Sequence, residues 1–218
     1  MGMTSFDVIR EFKLAQFTRR DLVRYKVGHG GTLDPFADGL LLLLLGKATK
    51  RMNELSELPK TYRAVARLGA SSDTLDCMGS ITPGVKGSHT PGVLEIAEAA
   101  EKFIGEIEQE IPDYSATKIN GVPRYKLARR GMEMERKTKR VTIYDLRFTK
   151  IEKDKVEFVT TVSSGTYIRQ LSYDIFKTLG VESYLESLTR TQIGDFSLEK
   201  CIAIEDMVMP IEQLVHCA

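Results

Sequence analysis

The sequence predicts an α/β (α+β) protein, and three observations carry that reading. Residues 61–69 alternate apolar and polar side chains, the period of a half-buried strand. Residues 140–150 and 155–163 supply two more strand segments. Around them lie helical segments with start and stop signals. Thr4 or Ser5 can cap a helix just after it, Pro91-Gly92 leads into an acidic amphipathic helix over about 93–104, and a further helix reaches about Leu179 and stops at Gly180.

Length and composition narrow the class. A chain of 218 residues buries a substantial core, as one domain or two small ones. Its 42% hydrophobic and 28% charged residues are ordinary for a soluble globular protein. No signal-peptide pattern or membrane segment is present, so the cytoplasm is the expected compartment. Cys77, Cys201 and Cys217 are odd in number and unpaired by spacing, which points to a reducing compartment. His29, His89 and His216 are scattered, and no metal site is expected. The net charge of +1 gives no support for nucleic-acid binding, but the charge is unevenly distributed. Residues 94–113 hold seven acidic side chains against Lys102, and residues 114–147 hold ten basic ones against Glu133, Glu135 and Asp145. That basic segment reads either as a track for a phosphate backbone, with salt-sensitive affinity, or as a solvated surface.

In chain order, the first helix is expected to place Phe6, Ile9, Phe12 and Leu14 roughly on one face. The rest of the chain is organised around residues 28–50, GHGGTLDPFADGLLLLLLGKATK. Gly28, Gly30 and Gly31 let a polar loop fold closely around something, and Pro35 biases Asp34 to an extended conformation at the end of a turn. The leucine run 40–45 is too short to span a bilayer and does not alternate; it reads as a strand buried on both faces or as a buried helix segment. Gly46-Lys47-Ala48-Thr49 is not a phosphate loop, because Gly39 lies too far upstream and Ala48 replaces the metal-binding hydroxyl. Residues 48–55 form a short helix before Pro59, and residues 70–91, rich in Ser, Thr, Gly and Pro, read as a surface excursion without a linker-like break. Tyr125, Ala128 and Arg129 fall on a one- to two-turn helix stopped by Gly131.

Residue by residue, the plain readings are bland. Asp34 before proline is first a turn residue, and Tyr62 in a strand is a core or interface residue. His29 among glycines is a turn or packing residue, and Arg169 on a helix face makes a surface ion pair of little energetic weight. Five ordered blocks change these readings. The first is Gly28-His29-Gly30-Gly31-Thr32-Leu33-Asp34-Pro35, continued by Gly39-Leu40-Leu41 and Gly46-Lys47-Ala48-Thr49-Lys50. Lys60-Thr61-Tyr62 is the second, and Pro112-Asp113-Tyr114-Ser115-Ala116-Thr117-Lys118 with Tyr125, Ala128, Arg129 and Gly131 is the third. Gly165-Thr166-Tyr167-Ile168-Arg169 and Leu188-Thr189-Arg190 with Gly194 and Phe196 complete the set. Together they resemble the TruB family of pseudouridine synthases over nearly the whole chain, with Gly30 standing where the family usually has threonine.

The resemblance implies a pseudouridine synthase fold: a mixed, largely antiparallel central sheet with flanking helices. It implies one catalytic domain over residues 1–218, with an inserted RNA-gripping lobe at about 70–105. The family's opening strand and Lys-Pro-x-Gly turn have no counterpart here, and no room for a C-terminal PUA domain is expected beyond Ala218. By resemblance Asp34 is catalytic, Arg169 pairs with it, Tyr167 packs beside it, and Tyr62 lies against the target base. Leu188 is expected against the uracil pocket, His29 in the gap left by a flipped base, and Lys50, Lys118 and Arg129 on the RNA. The reaction implied is conversion of uridine to pseudouridine, at uridine 55 in the T-arm of tRNA. No cofactor, no membrane and no obligatory protein partner are expected, and the chain is expected to be a monomer. A carboxylate suits this chemistry because it can add to an electrophilic carbon and later leave, or take the sugar C2′ proton; the sequence leaves that choice open. Two other classes stay in view. One is an RNA-binding protein or folding chaperone without catalysis; the other is an acyl- or phosphoryl-transfer hydrolase using Asp34, which lacks a visible metal cluster, general-base histidine or phosphate loop.

Overall fold

The computed structural model describes residues 2–16, 26–85 and 89–208. The chain divides into two compact units, Met1–Tyr62 with Leu188–Ala218 and Arg63–Ser187.

The smaller unit begins with helix α1 (Ser5–Gln16), capped reciprocally: Thr4 Oγ1 accepts the Asp7 N–H at 3.1 Å while the Asp7 carboxylate accepts the Thr4 N–H at 2.9 Å. Ser5, Ile9 and Phe12 form its buried stripe. Phe6 and Leu14 do not join it, being 72% and 58% exposed. At about 100° per residue Leu14 falls opposite the stripe and Phe6 to one side, so the helical period overrides the looser grouping expected from the sequence. Strands β1 (Val27–His29), β2 (Asp38–Gly39) and β3 (Leu43–Leu45) come next, β1 pairing antiparallel with β3 in the register Gly28↔Leu44. The leucine run is therefore a strand only in its second half. It is not buried on both faces: Leu40 and Leu44 are buried, while Leu43 and Leu45 keep partial exposure. A 3₁₀ turn (Gly46–Arg51) and helix α2 (Met52–Glu57) lead to strand β4 (Lys60–Leu68). The burial of β4 alternates, as the period-2 pattern requires, and its residues belong to both units.

The larger unit holds strands β5 (Ala70–Ser72) and β6 (Ile81–Pro83), which pair antiparallel inside the stretch expected to be a surface excursion. Helix α3 (Val93–Glu101) starts where Glu95 accepts the Gly92 N–H at 2.7 Å, and it packs Ile96, Ala99 and Ala100 inward, in contact with a later helix. Strand β7 (Gly105–Glu110), the short pair β8 (Lys118–Ile119) and β9 (Val122–Pro123), helix α4 (Arg124–Ala128), and strands β10 (Thr138–Ile151) and β11 (Lys155–Val162) come next. Helix α5 (Ile168–Thr178), the partner of α3, and strand β12 (Ser183–Ile193) complete the unit. Here the sheet order is β12-β4-β11-β10-β7, with β10 antiparallel to both neighbours. Ile143, Val156, Phe158, Leu171, Ile175 and Phe176 fill the core between sheet and helix.

The acidic and basic stretches of the sequence meet across β7 and β10. Arg140 lies 3.3 Å from Glu106 and 3.6 Å from Glu108, and Arg136 lies 3.6 Å from Glu110. Part of the basic segment is thus neutralised by its neighbour strand. The end of β12 returns to the smaller unit, pairing antiparallel with β13 (Phe196–Ser197) and parallel with β2 through Thr189↔Asp38 and Arg190↔Gly39. The sheet is mixed, as expected.

Candidate active site

In the smaller unit the Asp34 loop is fastened at nearly every peptide. The Ala37 N–H donates to the Asp34 carbonyl at 2.9 Å, closing a turn with Pro35 at its second position, while Phe36, only 1% exposed, roots the turn in the core. From α1, Ser5 Oγ accepts the Leu33 N–H at 2.9 Å. From β12, the fully buried Arg190 donates Nε to the Leu40 carbonyl at 2.8 Å and its other nitrogens to the Thr32 and Gly31 carbonyls at 3.2 and 3.3 Å. The planar fork of a guanidinium suits a loop that presents several carbonyls to one point. Gly39 permits the approach: its φ is +103°, and a Cβ there would stand 2.3 Å from the Arg190 carbonyl oxygen. Gly30, where the resembled family has threonine, donates its N–H to the Leu42 carbonyl at 2.9 Å, and an added Cβ would make ordinary contact with Leu42 and Leu55.

Of the predicted side chains of this unit, Tyr62 and His29 both feel the charge of Arg190. Tyr62 is buried, and burial raises its phenol pKa; the charge and hydrogen bond of Arg190 oppose that, and the Asp34 carboxylate adds to it. Asp34, Tyr62 and Arg190 are therefore electrostatic neighbours. His29 is held below its ordinary pKa by burial first, with a hydrogen bond to the Gly31 backbone opposing and the Arg190 charge assisting. Lys60, buried beneath the loop, donates Nζ to the Leu58 carbonyl at 2.6 Å and also to the Ser56 carbonyl. Loss of hydration, then repulsion from Arg190, brings its pKa down to about 8. Leu188 is buried two residues before Arg190 on the same strand. Lys50 is exposed in the 3₁₀ turn, apart from this cluster.

In the larger unit Arg169 is the second residue of α5. It is no surface ion pair: at 4% exposure it donates to the Thr74 carbonyl at 2.6 Å and the Tyr114 carbonyl at 3.0 Å, and its NH1 lies 3.3 Å from the buried Asp76 carboxylate. Tyr167, which precedes α5, has its hydroxyl 2.9 Å from Thr117 Oγ1 and the Lys139 ammonium 4.2 Å from its ring centre. Lys118 and Arg129 are exposed on the β8–α4 segment, Arg129 stacking at 5.6 Å over Tyr125. Helix α4 and the left-handed Gly131 after it match the short, glycine-stopped helix expected there.

Sequence reasoning gave no role to Arg190, Asp76 or Gln109. Arg190 does carry a signal, since a charged residue stands on the inward phase of an alternating strand beside Leu188. Gln109 carries a fainter one, inward between the outward Glu108 and Glu110. Asp76 lies in an irregular Ser/Thr-rich stretch with no periodicity to mark it. Among the described residues no group of three His, Cys, Asp or Glu side chains could hold a metal ion, and no helix is long and apolar enough to cross a membrane.

Residues 19–168 match the family model described as TruB family pseudouridylate synthase (N terminal domain). The chain belongs to the TruB family. Among curated TruB-like relatives, a protein called tRNA pseudouridine synthase B from Clostridium perfringens (strain 13 / Type A) is 43% identical over 207 residues, covering 94% of this chain and 68% of the relative. The protein of the same name from Aquifex aeolicus (strain VF5) is 37% identical over 209 residues, covering 95% of this chain and 70% of the relative. Of solved structures, a crystal structure of a Cbf5-Nop10-Gar1 complex contains a chain 30% identical, with a TM-score of 0.71 over 95% of this chain. An H/ACA RNP bound to a substrate RNA containing 2'-deoxyuridine contains one 27% identical, with a TM-score of 0.68. This TruB-family chain spans about half the length of those solved chains, 50% and 49%.

Proposed function

We propose that this chain isomerises uridine to pseudouridine in tRNA, at uridine 55 of the T-arm, as a monomer in the cytoplasm without an obligatory protein partner or cofactor. The observation that carries the reading is the Asp34 turn, clamped by Arg190 and within electrostatic reach of the buried Tyr62, in a chain of the TruB family. A carboxylate carried on a loop whose backbone is held this firmly is preorganised for attack on a reacting sugar or base carbon. The reaction breaks the C–N glycosidic bond, turns the freed uracil, forms a C–C bond at C5, and releases the C5 proton to water. Either role of Asp34, addition to carbon or removal of the C2′ proton, starts from the ionised carboxylate at the same place.

The roles of the other residues are those of the family's blocks. Tyr62 lies against the extruded base, which offsets part of the few kcal/mol that unstacking costs. Leu188 borders the uracil, His29 fills the gap in the stack, and Arg169 with Tyr167 supplies the guanidinium and ring of the fourth block. Lys50, Lys118 and Arg129 meet the RNA backbone. A T-arm stem-loop carrying tritium at C5 of uridine tests the reaction and its site. The expected result is tritium release to water that disappears when the target uridine alone is replaced by cytidine. Release that persists with that cytidine would overturn the site; tight binding with no release would overturn the reaction.

A further inference from the structure

The start of α5 is held by a side chain from a strand 58 residues earlier in the sequence. Gln109 Oε1 accepts the Tyr167 N–H at 2.8 Å, and its Nε2 donates to the Tyr167 carbonyl at 3.0 Å. The side chain is 1% exposed, so water does not compete for either bond. A primary amide that binds both the N–H and the C=O of one residue copies the two-point pairing of a β-ladder. It fixes the direction of that backbone as well as its place.

The backbone so fixed is the entry to a helix. Tyr167 is the last extended residue before α5, at φ −93° and ψ 107°, and no side-chain cap of its own holds the helix start. Arg169 lies two residues further on, and its three described contacts reach Thr74, Tyr114 and Asp76. Tyr114 lies five residues after Gln109 on the same run of chain, so both ends of that run brace the first turn of α5. Lys139 adds a third brace, donating to the Gly165 carbonyl and sitting over the Tyr167 ring.

We propose that Gln109 is a positioning residue for the reaction: its amide sets the Tyr167 backbone and, through the first turn of α5, the aim of the Arg169 guanidinium. The inference rests on the proposed pseudouridine synthase activity and deepens it. A loosened start to α5 leaves Arg169 in place on average but displaced in detail, and a displacement near 1 Å is enough to lower a rate about 100-fold.

Gln109→Glu gives a test with its own internal switch. An ionised carboxylate accepts from the Tyr167 N–H but repels its carbonyl; a protonated carboxyl restores a donor where Nε2 stood. Single-turnover tritium release and RNA binding are measured for wild type, Gln109→Glu and Gln109→Leu across about pH 5–8, a span over which a buried carboxyl with a raised pKa titrates. Expected for Gln109→Glu is a rate about 100-fold below wild type at pH 8, RNA affinity within about threefold of wild type, and recovery towards wild type as pH falls. Gln109→Leu stays slow at every pH, because it offers neither donor nor acceptor. If Gln109→Leu fails to fold, the pH profile of Gln109→Glu alone decides. Rates equal to wild type at all pH values, a deficit confined to RNA affinity, or a deficit without recovery at low pH would each overturn the inference while leaving the function standing. An inactive wild type would overturn the function, and the inference with it.

Discussion

Asp34 owes its position to the residues that flank it. Pro35 fixes one backbone angle of the turn, Phe36 buries its ring beneath, and Gly39 lets the returning chain touch the backbone of Arg190. Gly39 is the most exacting of these. Its φ of +103° is strained for any L side chain, and a Cβ would sit 2.3 Å from the Arg190 carbonyl oxygen and 2.7 Å from its nitrogen, neither of which can give way without breaking the β2–β12 bridge. Gly39→Ala is therefore expected to lower stability by roughly 2 kcal/mol or more, seen in denaturant unfolding. It should also slow tritium release more than it weakens RNA binding, because the loop that aims Asp34 is displaced. A variant as stable and as active as wild type would contradict the clamped-loop description. At this scale the motif residues were legible in the sequence, but their supports were not. Asp34 stands out before a proline, whereas Arg190 grips a loop more than 150 positions earlier, and only the folded strand brings the two together.

Among the elements, those with a clear period were legible and those set by long-range pairing were not. The alternation over 61–69 is strand β4, and the strand pair near 140–163 is β10 and β11. Helix α5 stops at a left-handed glycine, Gly180, as its sequence signals. The first helix formed where its cap lies, but Phe6 and Leu14 face outward because a strict helical period leaves room for only one stripe. The leucine run misled in a different way. Six identical residues carry no phase, so the sequence could not show that strand β3 is confined to Leu43–Leu45, with His29 opposite Leu43, nor which leucines point inward. The irregular stretch after β4 hid most: it contains the β5–β6 pair and Asp76, whose parallel bridge to Leu185 and contact with Arg169 depend on residues a hundred positions away. Buried ion pairs of this kind leave no mark in local composition.

Over the whole molecule, the charge pattern sorts itself by pairing. With a net charge of +1, affinity for a polyanion has to come from local clusters. Arg136 and Arg140 face the acidic strand β7, whereas Lys118, Lys126, Arg129 and Arg130 are exposed on the β8–α4 segment. RNA affinity is accordingly expected to fall steeply with salt, and Arg129→Ala should reduce the slope of log K against log salt by about 1. Arg136→Ala should leave that slope nearly unchanged, since its charge is already shared with Glu110. Equal effects from both substitutions, measured by fluorescence anisotropy over a salt series, would mean that the whole basic stretch meets RNA.

The most direct measurement places Asp34→Asn beside the wild type, following single-turnover tritium release from the C5-labelled T-arm stem-loop and its affinity for the same RNA. Asparagine keeps the size of the side chain and removes its charge and nucleophilicity. The Asp34 carboxylate as the reacting group predicts that release vanishes while affinity stays within about threefold of wild type, because the phosphate contacts proposed above fall to Lys50, Lys118 and Arg129. Turnover by Asp34→Asn at a rate near that of the wild type would contradict it.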